Sequence, residues 1–206
     1  MDMQGSRQLA ITQQQAWNAL NDPQILKACI VGCDKVDPIG ADPASPQYAI
    51  GMGIKIGPVS AKFAGKILLS DIVAPASYKI NFEGQGGAAG FGKGDATVTL
   101  VPNGKGCELA YTVHASVGGK IAQLGQRLID GVAKSMAEDF FNRFDEAMQV
   151  RHPEAYAVQA QADAAEAAQA GGGSATQGTE SSDGIPKWVW FGIVAVVAAA
   201  YFALRK

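Results

Sequence analysis

The sequence predicts an α+β fold in which an antiparallel sheet is covered by one long C-terminal helix. Two observations carry this prediction. Between residues 48 and 115, apolar side chains alternate with polar ones in successive runs separated by turn signals, a pattern typical of strands with one buried face and one wet face. From Gly118 to Met148, apolar residues instead recur at intervals of three and four, so they share one face of a helix. The two apolar faces can bury each other.

The N-terminal part predicts one strand and two short helices. Gly5 to Ile11 alternates loosely and is interpreted as a first strand. Thr12, followed three residues later by Gln15, has the spacing of a capping box and predicts a helix that begins directly after it. Asp22-Pro23 then ends this helix and suits the cap and first turn of a second helix, which is expected to reach about Cys29.

About six strands are expected after these helices, with turns at Gly57-Pro58, Ala74-Pro75 and Pro102-Asn103-Gly104. The stretch from Gly84 to Gly94 is expected to form a hairpin loop. Residues 87–94 of this stretch, GAAGFGKG, approximate a phosphate-binding loop, but Gly94 replaces the Ser or Thr that would bind magnesium and a strand follows instead of a helix. The long helix completes the domain. Its apolar stripe is Ile121, Leu124, Leu128, Val132, Met136, Phe140 and Phe144.

Charge and cysteine content narrow the function classes. The 206 residues carry 17 Lys and Arg against 19 Asp and Glu, without a basic run, so nucleic-acid binding has no electrostatic basis. The three cysteines are an odd number without dense spacing, which favours a reducing compartment over a disulfide framework. Cys29 and Cys33 are one helical turn apart, but no histidine or second cysteine pair lies near them in sequence, so we expect a structural role and no metal site.

The C-terminal segment predicts a membrane anchor. Trp188 to Leu204 is uncharged and mostly apolar, roughly 26 Å long as a helix against a hydrocarbon core of ~30 Å. Aromatic residues lie at both ends of this span, as in interfacial belts, and Lys187 and Arg205-Lys206 flank it. A buried helix of a soluble protein is the alternative interpretation. The residues expected to contact lipid are Trp188, Trp190, Phe191, Ile193, Val196, Tyr201, Phe202 and Leu204.

These patterns divide the chain into a domain of residues 1–150, a linker of residues 151–186 and an anchor of residues 187–206. Within the linker, Pro153 to Ala170 is alanine-rich and suited to partial helix, whereas Gly171 to Gly184 is expected to be flexible. As a random coil the linker would reach about 30–36 Å. Residues 1–5 lack the basic and apolar regions of a signal peptide, so we expect the domain on the cytoplasmic side of the membrane. The basic residues flanking the span do not by themselves favour this orientation.

The order of elements resembles the helix-grip fold of the START/Bet v 1-like (SRPBCC) superfamily. Three stretches, AWNALNDPQILKACIVGC, IKIGPVSAKFAGKILLSD and GGKIAQLGQRLI, are similar to the CoxG-like family of carbon monoxide dehydrogenase proteins. The resemblance covers about residues 1–147, with Val31 standing where the family commonly has proline. It implies an accessory protein that recruits the aerobic, molybdenum-containing carbon monoxide dehydrogenase to the inner membrane face. It also implies a quinone bound in an apolar cavity, which would deliver electrons to the respiratory chain. We expect no tightly bound cofactor.

Periodicity alone does not distinguish such a cavity from a filled core, and both remain open. If the cavity exists, Tyr48 or Tyr111 could donate a hydrogen bond to a quinone carbonyl. The residues predicted to line it are Tyr48, Ile50, Met52, Ile54, Phe63, Ile67, Phe82, Leu100, Tyr111, Leu124, Leu128 and Met136.

The alternative function is an enzyme acting on an apolar substrate, since relatives of this fold include cyclases and hydrolases. Such an enzyme needs an acid–base pair inside the cavity, and the alternating pattern of the strands places no such pair on the inward face. His114 has the outward parity of its strand and His152 lies at the linker junction, so both are expected at the surface. Asp71 continues the inward parity of Leu69, although strand ends usually turn outward. We expect no catalytic residues.

Overall fold

The computed structural model describes residues 1–40, 42 and 44–170. Its elements in chain order are β1 (Asp2–Leu9), α1 (Gln13–Leu20), α2 (Pro23–Cys29), β2 (Cys33–Ile39), β3 (Gln47–Ile56), β4 (Val59–Val73), β5 (Ser77–Gln85), β6 (Phe91–Asn103), β7 (Gly106–Gly118), α3 (Gln126–Arg151) and α4 (Pro153–Ala170). Two short 3-10 turns lie at Gly87–Ala89 and Ala122–Leu124. The predicted α+β class is confirmed: a seven-stranded antiparallel sheet with C-terminal helices.

The sheet has the order β1-β7-β6-β5-β4-β3-β2. Strands β2 to β7 form a meander, and β1 closes the sheet against the last strand, with Met3 opposite Val113. Edge strand β2 was not predicted from the sequence. Only Val36 in it is buried, at 5% exposure, so it lacks the alternation of a half-buried strand. Pro38, which has no N–H to donate, is tolerated because one side of an edge strand makes no ladder bonds.

The two short helices begin as predicted. The backbone N–H of Gln15 donates to the Thr12 hydroxyl over 3.3 Å, and the Thr12 N–H donates to the Gln15 side chain over 2.9 Å, which completes the capping box. Asp22 accepts from the N–H of Gln24 over 3.0 Å with Pro23 in the first turn, and α2 ends at Cys29. In chain order, α1 and α2 therefore follow β1 and precede β2.

Helix α3 begins later than the apolar stripe suggested. Gly119 and Gly125 have φ values of +83° and +89°, which are not helical, and a 3-10 turn lies between them. A Cβ on Gly119 would clash with the Cα of Gly90, so the chain there packs directly against the β5–β6 connection. Ile121 is buried in this contact and its N–H donates to the carbonyl of Ala89 over 3.0 Å.

The filled part of the core lies at one end of the domain. There α1, α2 and the C-terminal half of α3 pack on the adjoining strands, and the stacked rings of Phe140 and Phe144 lie 6.0 Å apart. The largest fully buried side chains are Phe144, Leu9, Ile11, Leu100, Met148, Cys29 and Cys107. Burial raises the pKa of the Cys107 thiol to about 11, as expected for a cysteine in an apolar core.

Helix α4 occupies the segment for which partial helix was predicted, and the compact unit extends to Glu166, past the predicted boundary at residue 150. The Tyr156 hydroxyl lies 2.6 Å from Oδ1 and 3.1 Å from the carbonyl oxygen of Asp145 on α3. The predicted flexible stretch of residues 171–184 and the anchor of residues 187–206 lie outside the described residues. No described helix is long and apolar enough to cross a membrane.

We predict that Tyr156→Phe loosens α4 without affecting the sheet. The substitution removes a hydrogen bond to a carboxylate, which typically contributes about 1.5–3 kcal/mol, while keeping the ring packed. Amide hydrogen exchange should become faster in residues 153–162 and stay unchanged in β6 and β7. Gln161→Ala, at an exposed α4 position, is the control and should exchange as the wild type does. Equal exchange in Tyr156→Phe and wild type would show that α4 is held by other contacts.

Candidate functional site

Two adjacent apolar cavities lie between the sheet and α3. The cavity nearer the filled core, here called the inner cavity, has a volume of about 280 Å³, and the outer cavity has about 530 Å³. Both are lined almost wholly by apolar side chains. They share the residues Met3, Ile30, Ile50, Ile67, Val113, Ala137 and Phe140. The space beside the N-terminal half of α3 is therefore hollow, although the opposite end of the domain is filled.

Small residues create the outer cavity. Gly65, Gly84 and Gly92 are directly paired across β4, β5 and β6, so three neighbouring strands present no side chain along one row. A Cβ on Gly65 would clash with the carbonyl oxygen of Glu83, which leaves no room for any other residue. On the opposite wall, α3 contributes Ala133 and Ala137. The sheet and α3 are thus separated by a space that few side chains fill.

Nine of the twelve predicted cavity residues line these spaces. Ile50 and Ile67 contact both cavities, and Tyr48 and Tyr111 line the inner one. The remaining five, all in the outer cavity, are Met52, Ile54, Phe63, Phe82 and Met136.

Leu100, Leu124 and Leu128 line neither cavity. Leu100 is 1% exposed in the filled core, because it lies on β6 beyond the hollow end of the sheet. Leu124 belongs to the 3-10 turn that precedes α3. Leu128 is 39% exposed and lies beside Gly57, in the β3–β4 turn. The sequence predicted Leu124 and Leu128 on the inward face because a helix was expected to continue through Gly125, whereas α3 begins after that residue.

Sequence reasoning missed several lining residues. Met3 lies before the predicted start of the first strand, and Ile30 and Val31 lie between α2 and β2, where no apolar pattern was evident. Tyr78 is not among the twelve predicted residues, although the inward parity of its strand was a usable signal for its place in the inner cavity. Ala133 and Ala137 gave a usable signal, since they continue the four-residue spacing from the buried Ile129.

The polar groups of the inner cavity are tyrosine hydroxyls. Tyr48, Tyr78 and Tyr111 all line it. Burial raises the pKa of Tyr78, with the neighbouring Tyr48 raising it further, and burial also raises the pKa of Tyr48. Both hydroxyls therefore keep their protons at neutral pH and can act as hydrogen-bond donors. The Tyr111 ring lies 5.5 Å from the ring of Phe141, and its hydroxyl lies over the Cα of Gly5.

The other titratable candidates lie outside both cavities. The exposed His114 is paired with Asp2 over 2.5 Å, and this hydrogen bond raises the pKa of His114 and lowers that of Asp2. Asp71 has a φ of +49°, which turns it outward to Lys79, 2.6 Å away. His152 was expected at the surface but is partly buried, with its Nδ1 3.1 Å from the side-chain amide of Gln15.

An antiparallel sheet that wraps a long C-terminal helix, with apolar space between them, defines the helix-grip class of α+β proteins. The family model that describes the CoxG subunit of carbon monoxide dehydrogenase matches residues 5–149. The chain belongs to this family.

Solved structures agree with the fold. A conserved protein from Geobacillus kaustophilus is 37% identical with a TM-score of 0.66, and the match covers 72% of this chain and 95% of that chain. A putative uncharacterized protein from Rhizobium leguminosarum is 14% identical with a TM-score of 0.56, covering 70% and 91%. Protein Ms6760 from Mycobacterium smegmatis is 17% identical with a TM-score of 0.52, covering 73% and 92%. The last two show the fold alone. No curated protein matches the chain.

Proposed function

We propose that this protein is a membrane-anchored accessory protein of aerobic, molybdenum-containing carbon monoxide dehydrogenase that binds a quinone in its two cavities. Membership of the CoxG family fits an accessory role to that enzyme. The observation that carries the quinone part is the outer cavity, about 530 Å³ in volume and lined almost entirely by apolar side chains. The protein would hold the dehydrogenase at the cytoplasmic membrane and give it access to an electron acceptor.

The dimensions of the cavities suit a ligand with a ring and an apolar chain. Ligand sites typically measure about 300–1,000 Å³ and combine apolar walls with a few polar groups, which describes the outer cavity together with the tyrosines beside it. Most apolar side chains around the outer cavity are only partly buried, with Ile121 as the buried exception. Filling this space would remove their remaining apolar surface from water and so favour binding.

The cavity linings support binding more than acid–base catalysis. Their charged side chains are Lys66 and Glu83, which occupy exposed positions of the sheet next to the inward-facing Ile67 and Phe82. General acid–base catalysis works best with a group whose pKa is near the operating pH, whereas burial moves the pKa of Tyr78 further above it. A cyclase or hydrolase would need a titrating pair inside the cavity.

An exposed aromatic side chain supports an approach of the outer cavity to a membrane. Phe91 is 45% exposed and directly precedes the cavity-lining Gly92. Lys120 and Arg127, which flank the start of α3, are exposed in the same region and could contact anionic lipid headgroups. A quinone leaving a bilayer here would reach the outer cavity first.

The proposal is tested by identifying what the protein carries. The full chain should be purified in mild detergent from a quinone-producing bacterium, then analysed by native mass spectrometry and by organic extraction with chromatography. We expect an isoprenoid quinone in near-stoichiometric amount. A membrane protein of similar hydrophobicity, purified in parallel, controls for quinone carried by detergent micelles. An amount no greater than in this control would overturn quinone binding and leave recruitment of the dehydrogenase as the proposed function.

The membrane part predicts that removal of residues 187–206 releases the protein from membranes. The deleted segment contains the predicted span, whereas the compact unit ends at Glu166, so the fold should remain. Fractionation in a strain without the dehydrogenase should move the truncated protein to the soluble fraction, with an unchanged circular dichroism spectrum. Retention of the folded, truncated protein in carbonate-washed membranes would show that residues 187–206 are not the anchor.

A further inference from the structure

One tyrosine hydroxyl of the inner cavity has no hydrogen-bond partner among the described residues. Tyr78 is 5% exposed, yet its hydroxyl makes no hydrogen bond to any residue in the described part of the chain. By contrast, the Tyr156 hydroxyl, less deeply buried, is bonded to Asp145. The Tyr78 hydroxyl is therefore accessible to a small molecule, because no fully enclosed side-chain oxygen or nitrogen of the described residues lacks a partner. Since Tyr78 lines the inner cavity, its hydroxyl can donate a hydrogen bond to a molecule inside that cavity.

The Tyr78 ring is held in place by its neighbours. The ring of Trp17, from α1, contacts it edge-on with centroids 5.3 Å apart. On the sheet, Tyr78 is paired with Val98, which is also buried. Because the Tyr78 side chain is already fixed, binding does not have to order it. Its hydroxyl can therefore favour ligands that approach in one orientation. Tyr48 lines the same cavity and is close enough to raise the pKa of Tyr78, so a second donor lies nearby.

The two cavities differ in chemistry. All three cavity-lining tyrosines belong to the inner cavity, whereas the outer cavity is lined by aliphatic, methionine and phenylalanine side chains and by the paired glycines Gly65, Gly84 and Gly92. A ligand with one polar end and a long apolar chain would therefore be bound in one direction.

We propose that the ligand binds head first, with a quinone carbonyl accepting a hydrogen bond from the Tyr78 hydroxyl in the inner cavity and the isoprenoid chain lying in the outer cavity. This rests on the proposed quinone-binding function and adds to it a direction and a specificity-determining residue. The chemical class recognised is a 1,4-quinone that carries one long apolar chain.

The test compares Tyr78→Phe with the wild-type full chain, using 2-methyl-1,4-naphthoquinone as a chainless probe and a long-chain naphthoquinone as the complete ligand. Loss of one hydrogen bond should weaken binding of the chainless probe about 2- to 10-fold. The infrared carbonyl stretch of the bound quinone should also shift to higher frequency in Tyr78→Phe, which a purely structural role of the hydroxyl would not produce. Tyr156→Phe, which removes a hydroxyl outside both cavities, is the control and should bind as the wild type does.

The outcomes separate this inference from the function on which it rests. If the wild type binds the long-chain quinone but Tyr78→Phe matches it in both affinity and carbonyl frequency, the head-first assignment is overturned while quinone binding stands. An effect of Tyr111→Phe with none of Tyr78→Phe would overturn the assignment to Tyr78. If the wild type binds neither quinone, both proposals fail.

Discussion

Replacing Met136 by tryptophan should remove at least about nine-tenths of the quinone that co-purifies with the protein, without unfolding it. Met136 lies on α3, lines only the outer cavity and is partly buried. An indole there would project into a space of about 530 Å³. Larger side chains destabilise filled cores because neighbours must move, but a cavity can accept them. The ring would occupy the volume that we assign to the isoprenoid chain.

Leu128→Trp is the matched control for Met136→Trp. Both positions are on α3 and both substitutions add an indole, but Leu128 is 39% exposed and lines neither cavity. Quinone content per protein should be measured by extraction, and the fold by thermal unfolding monitored with circular dichroism. Leu128→Trp should retain quinone as the wild type does. Wild-type quinone content in Met136→Trp would mean that the ligand does not occupy the outer cavity.

Met136 lines the outer cavity, whereas Leu128 is exposed. This difference explains why the inward face of α3 could be predicted only in part. The predicted stripe from Leu124 to Phe144 uses mainly four-residue steps, and each such step advances about 40° beyond a full helical turn. A series of them therefore winds around the helix. Phe140 and Phe144 face the sheet, whereas Leu128, three steps before Phe140, has rotated towards solvent. The inward face at that level is Ile129 and Ala133.

Strands β3 to β7 were predictable because each carries its own alternation, which is a local property of the sequence. The cavity was not, because it depends on register. Gly65, Gly84 and Gly92 form one row only when β4, β5 and β6 are correctly paired, and each glycine alone looks like a tolerated interruption of its strand. The position of the Tyr78 hydroxyl in the inner cavity, without a partner among the described residues, is likewise invisible in sequence, since parity places it inside without showing what surrounds it.

Replacing Phe144 by alanine should lower the free energy of unfolding by about 3–5 kcal/mol, the range for a fully buried phenylalanine. Phe144 is 0% exposed, stacks on Phe140 and belongs to the filled end of the core. Urea denaturation should show a lower midpoint with an unchanged slope, which indicates a change of stability alone. Leu128→Ala is the control, and at its exposed position it should cost less than about 1 kcal/mol.

Phe144→Ala and Met136→Trp together test whether the two ends of the domain have separate roles. The hollow end forgoes core packing in order to leave room for a ligand, so the filled end must supply most of the stability. Phe144→Ala should then reduce stability while each folded molecule keeps its quinone. Met136→Trp should lose its quinone while the protein stays folded. Equal destabilisation by Phe144→Ala and Leu128→Ala would contradict this division. So would a loss of quinone per folded molecule in Phe144→Ala, because it would show that the filled end also shapes the binding site.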